Sequence, residues 1–179
     1  GGLSVSFNGN ASNNTVQIRD CSFENNTAMV GGGVFVHFGD NALENELIVE
    51  NCAFLNNKCS LIQLGTSGGG LRVEHYINIR AATEIQNTVT LQNCQVLGNT
   101  ALNGGGLSAS LSGTLNMTIT NSTFNSNKAQ NGAAIETSLF TIVDGGLIEI
   151  VNCSFSRNSV NYSSSSTYPA GVGTVYING

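Results

Sequence analysis

Apolar and polar residues alternate along this chain in short runs, and the alternation breaks at the same kind of residue five times. In Leu47 and Val49 the apolar positions are odd-numbered, but in Cys52 and Phe54 they are even-numbered. A period of two marks a strand with one face buried. A slip of one residue would turn the buried set to the wrong face unless the backbone bends there. The residue at the slip is Asp20, Asn51, Asn93, Asn121 or Asn152. Asn and Asp are the non-glycine residues that most readily take left-handed backbone angles. The pattern therefore predicts two short strands joined by a sharp corner, with the corner side chains stacked inward.

Each pair of strands is followed by a second corner and a third strand. The second corner lies after Phe23, Phe54, Val96, Phe124 and Phe155, and carries Asn26, Asn57, Asn99, Asn127 and Asn158 three residues on. Glycines then open a further alternating run: Val34 with Val36, Leu71 with Val73, Leu107 with Ala109, Ile135 with Thr137, and Val175 with Ile177. Three strands and three corners make one coil. The equivalent positions Cys21, Cys52, Cys94, Ser122 and Cys153 are separated by 31, 42, 28 and 31 residues, so regular strands alternate with loops of variable length.

Coils of this kind bury their apolar faces only by stacking, which predicts an all-β, three-sheet parallel β-helix of about five coils at ~4.8 Å per rung. The general chirality of parallel crossovers makes it right-handed. Like residues then stack into a Cys ladder, a Phe ladder and two Asn ladders. In each Asn ladder one amide donates to the next and satisfies a corner that would otherwise bury unpaired polar groups.

The motifs FENN, FLNN, FNSN and FSRN, each paired with GGG or GAAI, resemble the repeats of the polymorphic outer-membrane protein family. The single-Asn corner is similar to the Asn ladder of pectate-lyase-type right-handed β-helices. The third copy departs with VLGN, the fourth with Ser122 in the Cys position, and the fifth with GVGTVYI. The resemblance implies surface display and adhesion, while the wider fold also hosts lyases, hydrolases and passive stalks. Residues 1–179 read as a single β-helical segment. Both ends fall inside a repeat, so the expectation is an excerpt of a longer extracellular or cell-surface protein.

Composition narrows the partners. Charged residues make up 9% of the chain and the net charge is −5, which leaves no basic patch for nucleic acid and no cationic face for membrane insertion. Protein or glycan partners bound through loops, and lateral or end-to-end self-association, are the interactions expected. The variable loops run from Asn8 to Asn14, Gly39 to Glu46, His75 to Thr88, Ser112 to Asn116 and Ser138 to Gly146, with further insertions at Ser60 to Ser67 and Ser159 to Pro169.

Cys21, Cys52, Cys94 and Cys153 share one inward slot, and Cys59 falls in a slot held elsewhere by Ala28, Ala101 and Ala129. One position repeated along a solenoid does not make a disulfide framework, so these are read as buried thiols acting as small hydrophobes. Seven Asn-X-Ser/Thr sequons occur, against about five expected by chance from the composition. Asn10, Asn13, Asn25, Asn116 and Asn161 are the candidate glycosylation acceptors. Asn121 and Asn152 are set aside as inward corner residues.

The similarity to β-helical lyases and hydrolases implies that any enzymatic chemistry would lie on the outer face of the third strands. The outward positions read Ser4, Phe35, Arg72, Ser108, Glu136, Tyr176 and Ser6, His37, Glu74, Ser110, Ser138, Asn178. Among these, His37, Arg72 and Glu74 form the one candidate cluster, with His37 and Glu74 a rung apart as an acid–base pair. The plainer reading is an exposed polar ladder with a weak ion pair. Asp40, Glu44 and Glu46 lack the spacing of a calcium loop, and the GGG triplets lack the Lys of a phosphate loop. No cofactor or metal is called for. The residues favour a non-catalytic structural or adhesive solenoid displaying loops. A carbohydrate-active lyase or hydrolase and a filament or sheath component stand as alternatives.

Overall fold

The computed structural model describes residues 1–39, 42–60, 66–75, 87–111, 115–139, 147–160 and 175–178. Its strands follow the repeats. β1 (Leu3–Phe7) is a glycine-led strand standing before the first full coil. The first coil holds β2 (Thr15–Arg19), β3 (Ser22–Glu24), β4 (Thr27–Ala28) and β5 (Val34–Phe38). The second holds β6 (Glu46–Glu50), β7 (Ala53–Leu55), β8 (Lys58–Cys59) and β9 (Leu71–His75). The third holds β10 (Asn87–Gln92), β11 (Gln95–Leu97) and β12 (Leu107–Leu111). The fourth holds β13 (Leu115–Thr120), β14 (Thr123–Asn125), β15 (Lys128–Ala129) and β16 (Ile135–Leu139). The last holds β17 (Leu147–Val151), β18 (Ser154–Ser156), β19 (Ser159–Val160) and β20 (Val175–Asn178).

Every strand pairs in parallel with its counterpart in the neighbouring coil. The glycine-led strands form a six-stranded sheet, β1-β5-β9-β12-β16-β20, and the other two principal sheets are β2-β6-β10-β13-β17 and β3-β7-β11-β14-β18. This is a parallel β-helix, and the described residues contain no helix. A coil carries a fourth short strip that the apolar pattern does not announce. It runs through the β4–β8 and β15–β19 pairs, with single bridges at Thr100 linking Lys58 to Lys128. Two residues are too few for an alternation to be visible, and the strip's inward residues are small: Ala28 stands beside Cys59, and Ala129 beside Val160.

The register turns repeated side chains into columns. Val16, Leu47, Val89, Met117 and Ile148 are aligned across one sheet. Phe23, Phe54, Val96, Phe124 and Phe155 are aligned across another. Phe23 stacks on Phe54, and Phe124 on Phe155, with ring centroids 5.3 Å apart in both pairs. Val96 interrupts the stack and is itself buried. A further inward column closes the third strands: Phe7, Phe38, His75 and Leu111. The rings of Phe7 and Phe38 stack at 4.8 Å.

The two Asn rows behave differently from each other. Asn57, Asn99 and Asn127 are fully buried. Asn99 Oδ1 accepts from the backbone N–H of Asn57 at 2.9 Å and from its Nδ2 at 3.1 Å. Asn99 Nδ2 donates backwards to the carbonyl of Phe54 at 2.8 Å and forwards to Asn127 Oδ1 at 3.0 Å. The same pattern joins Asn26 to Asn57 and Asn127 to Asn158. In this row the left-handed residue is the one before the ladder: Asn25, Asn56, Gly98, Ser126 or Arg157, with φ between 53° and 67°.

Asp20, Asn51, Asn93, Asn121 and Asn152 do take left-handed angles, with φ from 50° to 53°. Their expected inward direction is corrected by the structure, because all five are exposed. At a left-handed corner the neighbouring Cys or Ser turns into the core and the corner side chain points out. Only Asn51 to Asp20 and Asn93 to Asn51 bond along this row, at 3.1 and 3.3 Å.

A third Asn row, in segments read from sequence as loops, is Asn14, Asn45 and Asn87. His75 and Asn87, expected within a loop, are strand residues and are buried. Residues 76–86 of that loop lie outside the described residues, as do 61–65, 112–114, 140–146 and 161–174 of the others.

The glycine corner brings neighbouring backbones too close for a side chain. A Cβ on Gly69 would lie 2.3 Å from the carbonyl oxygen of Gly105. The first glycine of each group, as at Gly104 (φ 58°), is left-handed, a conformation that costs other residues ~1–2 kcal/mol.

Two outcomes follow from these corners. Replacing Asn99 by Ala takes the side-chain acceptor from the N–H of Asn57 and from one proton of its amide, the other still donating to the Phe23 carbonyl, and removes a donor from the Phe54 carbonyl, at about 1–3 kcal/mol for each buried group left unpaired. Its urea midpoint should fall by the equivalent of about 3 kcal/mol or more, whereas Asn93→Ala should cost about 1–2 kcal/mol, as backbone strain plus the loss of one exposed bond to Asn51. Asn103, between β11 and β12, also joins two coils, its Oδ1 accepting from Asn131 Nδ2 at 2.7 Å.

The second outcome concerns the Cys column. All five cysteines are free, with Cys52, Cys59 and Cys94 buried. Burial pushes all three thiols up, that of Cys94 to about 12 from an ordinary 9.0. Above pH ~9 the unfolded chain loses these protons and the folded chain keeps them, so stability falls as pH rises towards 12. Cys94→Ser, which copies Ser122 one coil on, should flatten that alkaline loss in denaturation curves collected from pH 8 to 11.

Candidate functional site

The outward residues of the glycine-led sheet fall into the two rows that alternation predicts. Ser4, Phe35, Arg72, Ser108 and Glu136 are in register, and so are Ser6, His37, Glu74, Ser110 and Ser138, with the backbone of Tyr176 and Asn178 paired beyond Glu136 and Ser138. Adjacent rungs place a side chain within reach of both its row neighbour and the other row. A polar network results from that placement.

Arg72 is at its centre. Its Nε donates to Glu74 Oε1 at 3.1 Å and its Nη2 lies 3.1 Å from the same oxygen. Its Nη1 donates to Ser108 Oγ. Ser108 in turn donates to Glu136 Oε2 at 2.6 Å, and Ser138 donates to Glu136 Oε1 at 2.6 Å. At the other end, His37 Nδ1 lies 3.9 Å from Glu74 Oε2, and the His37 ring stacks on Phe35 with centroids 6.2 Å apart.

The structure brings His37, Arg72 and Glu74 together and corrects the expectation of an exposed ladder. Arg72 is 9% exposed, Glu136 6% and Ser108 0%. The network also extends two rungs further than the sequence suggested. Glu136 and Ser138 were visible as outward residues, but joining them to Arg72 required the serine hydroxyl between them. Serine in an outward position carries no signal of its own. Burial changes the energetics as well, since an ion pair removed from water is costly to break. Arg19 and Glu50, 3.1 Å apart on a different sheet, are more exposed and contribute little.

The remaining candidate residues lie apart from this network. Asn10, Asn13 and Asn25 are exposed, the last two at left-handed corners. Asn116 sits in β13 and accepts from the N–H of Leu147 at 3.2 Å. Asn161 lies outside the described residues. Asn121 and Asn152, set aside as inward, are exposed and join the candidate acceptors. Glu44 is exposed at a corner with φ 57° and Glu46 begins β6, while Asp40 lies outside the described residues. Among the described residues, no group of three His, Cys, Asp or Glu could hold a metal ion, and no helix is long and apolar enough to cross a membrane.

No protein family, curated protein or solved structure matches the chain. The site is therefore read from its own geometry.

Because three nitrogens of Arg72 are committed, its removal leaves the half-buried Glu74 carboxylate without its cation and the buried Ser108 hydroxyl, which bridges to Glu136, without its donor. Arg72→Met should cost about 3–5 kcal/mol. Arg72→Lys should recover little of it, since an ammonium cannot serve Glu74 and Ser108 from one planar fork. Urea denaturation of both variants checks this.

Proposed function

We propose that this segment is a non-catalytic β-solenoid of a secreted or cell-surface protein, a rigid stack that presents its inter-coil insertions to protein or glycan partners. The observation that carries the reading is the internal saturation of the outer-face network. Both oxygens of Glu136 accept serine hydroxyls, and Arg72 is held by Glu74 and Ser108. Catalysis needs an acid, a base and an electrophile converging on an open point where a reacting atom can sit. A buried guanidinium with its donors engaged is a brace between rungs. The resemblance of the FxxN and glycine motifs to polymorphic outer-membrane protein repeats supports display at a surface.

Loops carried on a rigid frame are where recognition resides. Residues 76–86, within the variable loop His75 to Thr88, follow β9 of the sheet that also carries Phe35 and His37, and they are the part of the chain we assign to partner binding. Exchanging residues 76–86 for an unrelated sequence of the same length should leave the unfolding midpoint of the stack unchanged.

The enzyme alternative is met by incubating the purified segment with acidic and neutral polysaccharides, with and without calcium. No product is expected. Turnover that vanishes in Glu74→Gln or Glu136→Gln would overturn the scaffold reading.

A further inference from the structure

The third asparagine row ends unlike the second-corner row. Asn14 donates from its N–H and Nδ2 to Asn45 Oδ1 at 3.2 and 2.9 Å, and Asn45 donates in the same way to Asn87 Oδ1 at 2.9 and 3.2 Å. The residue in register after Asn87 is Leu115, which has no acceptor. One amide proton of Asn87 goes back to the carbonyl of Ala42, as the row requires. The other faces Nε2 of His75, 3.0 Å away.

The direction of that contact is dictated by the row. Turning the Asn87 amide over would set its NH2 group against both donors of Asn45. Asn87 Nδ2 therefore points at the imidazole, and an amide nitrogen can only donate. The ring nitrogen it meets must carry a lone pair.

We infer that His75 is a proton-sensitive end-stop of the asparagine row: its neutral ring, protonated on Nδ1 alone, supplies the acceptor that Leu115 lacks. A second proton at Nε2 sets N–H against N–H and opens the row. The pair brackets residues 76–86, and the inference stands on the ladder alone, independent of the display reading.

Among the described residues, those that share the inward column with His75 are apolar. His75 is 1% exposed and meets the Phe38 ring edge-on at 5.9 Å, in a column continued by Leu111. On the strands packed around it, His37, Arg72 and Glu74 are turned to the outer face. Glu46 and Glu50 of β6 alternate outward from Leu47 and Val49, with Glu50 paired to Arg19. Glu44 is exposed at its corner, and β10 and β12 carry no ionisable residue.

Long-range 1H–15N spectra of the ring nitrogens should show His75 as the Nδ1–H tautomer at neutral pH, remaining neutral as the pH falls below ~6.5. In denaturation curves, the unfolding constant of the unmodified chain should rise relative to that of His75→Gln as pH falls below ~6.5. The limiting slope is about tenfold per pH unit, because the unfolded ring binds a proton that the folded one refuses. Glutamine keeps an acceptor that does not titrate. An Nε2–H tautomer, or a His75 ring that takes up its second proton near ~6.5 as an unfolded one does, would overturn the inference, and the spectra decide it even if His75→Gln does not fold.

Discussion

A coil of this solenoid can close only if the polar atoms at its corners find partners in the coils above and below. Water does not reach the corners at Asn57, Asn99 and Asn127, so each unpaired N–H or carbonyl there would cost on the scale of a lost hydrogen bond. The buried asparagines meet this constraint with one side chain that touches three coils. Asn99 receives from Asn57, reaches back to Phe54 and hands a proton on to Asn127. Its amide has one orientation in which all of these bonds form, so the row has a direction from the first coil to the last. The same direction determines which atom Asn87 offers to His75 at the end of the third row.

Register follows from this constraint, and side-chain choice follows from register. Once the corners are locked, each strand residue has a single neighbour on each side, and like must tolerate like. Phenylalanines stack where both rungs supply one, and Val96 is accepted where the column thins. Ser122 replaces cysteine because its hydroxyl donates to Thr120 and accepts from the N–H of Cys94. The glycine corner is the converse case, in which backbones approach until no Cβ fits between Gly69 and Gly105.

The outer face obeys no such repetition, which is why it holds the charged residues. Arg72, Glu74 and Glu136 occur once each in their rows, and the network they form with Ser108 and Ser138 is a local solution to burying charge. Its interior saturation makes it a brace and leaves the insertions as the variable part of the molecule. The functional reading rests on this contrast between strands that repeat and loops that do not.

The architecture was written in the chain itself: the slip of alternation at Asp20, Asn51, Asn93, Asn121 and Asn152, the FxxN step and the glycine groups define strands, corners and coil. Period-two burial and left-handed propensity are local properties, so the alternation and the corner conformations were legible without a structure. Direction and depth were not. Whether Asn51 points out while Asn57 points in depends on how a left-handed corner aims the next residue. That Arg72 and Glu136 are buried, and that Ser108 links them, emerges only when separate coils lie side by side. His75 shows the limit most clearly. In sequence it opens a loop; in the fold it ends a row of asparagines whose members are 31 and 42 residues apart, because hydrogen bonds between coils join residues that the chain itself keeps distant.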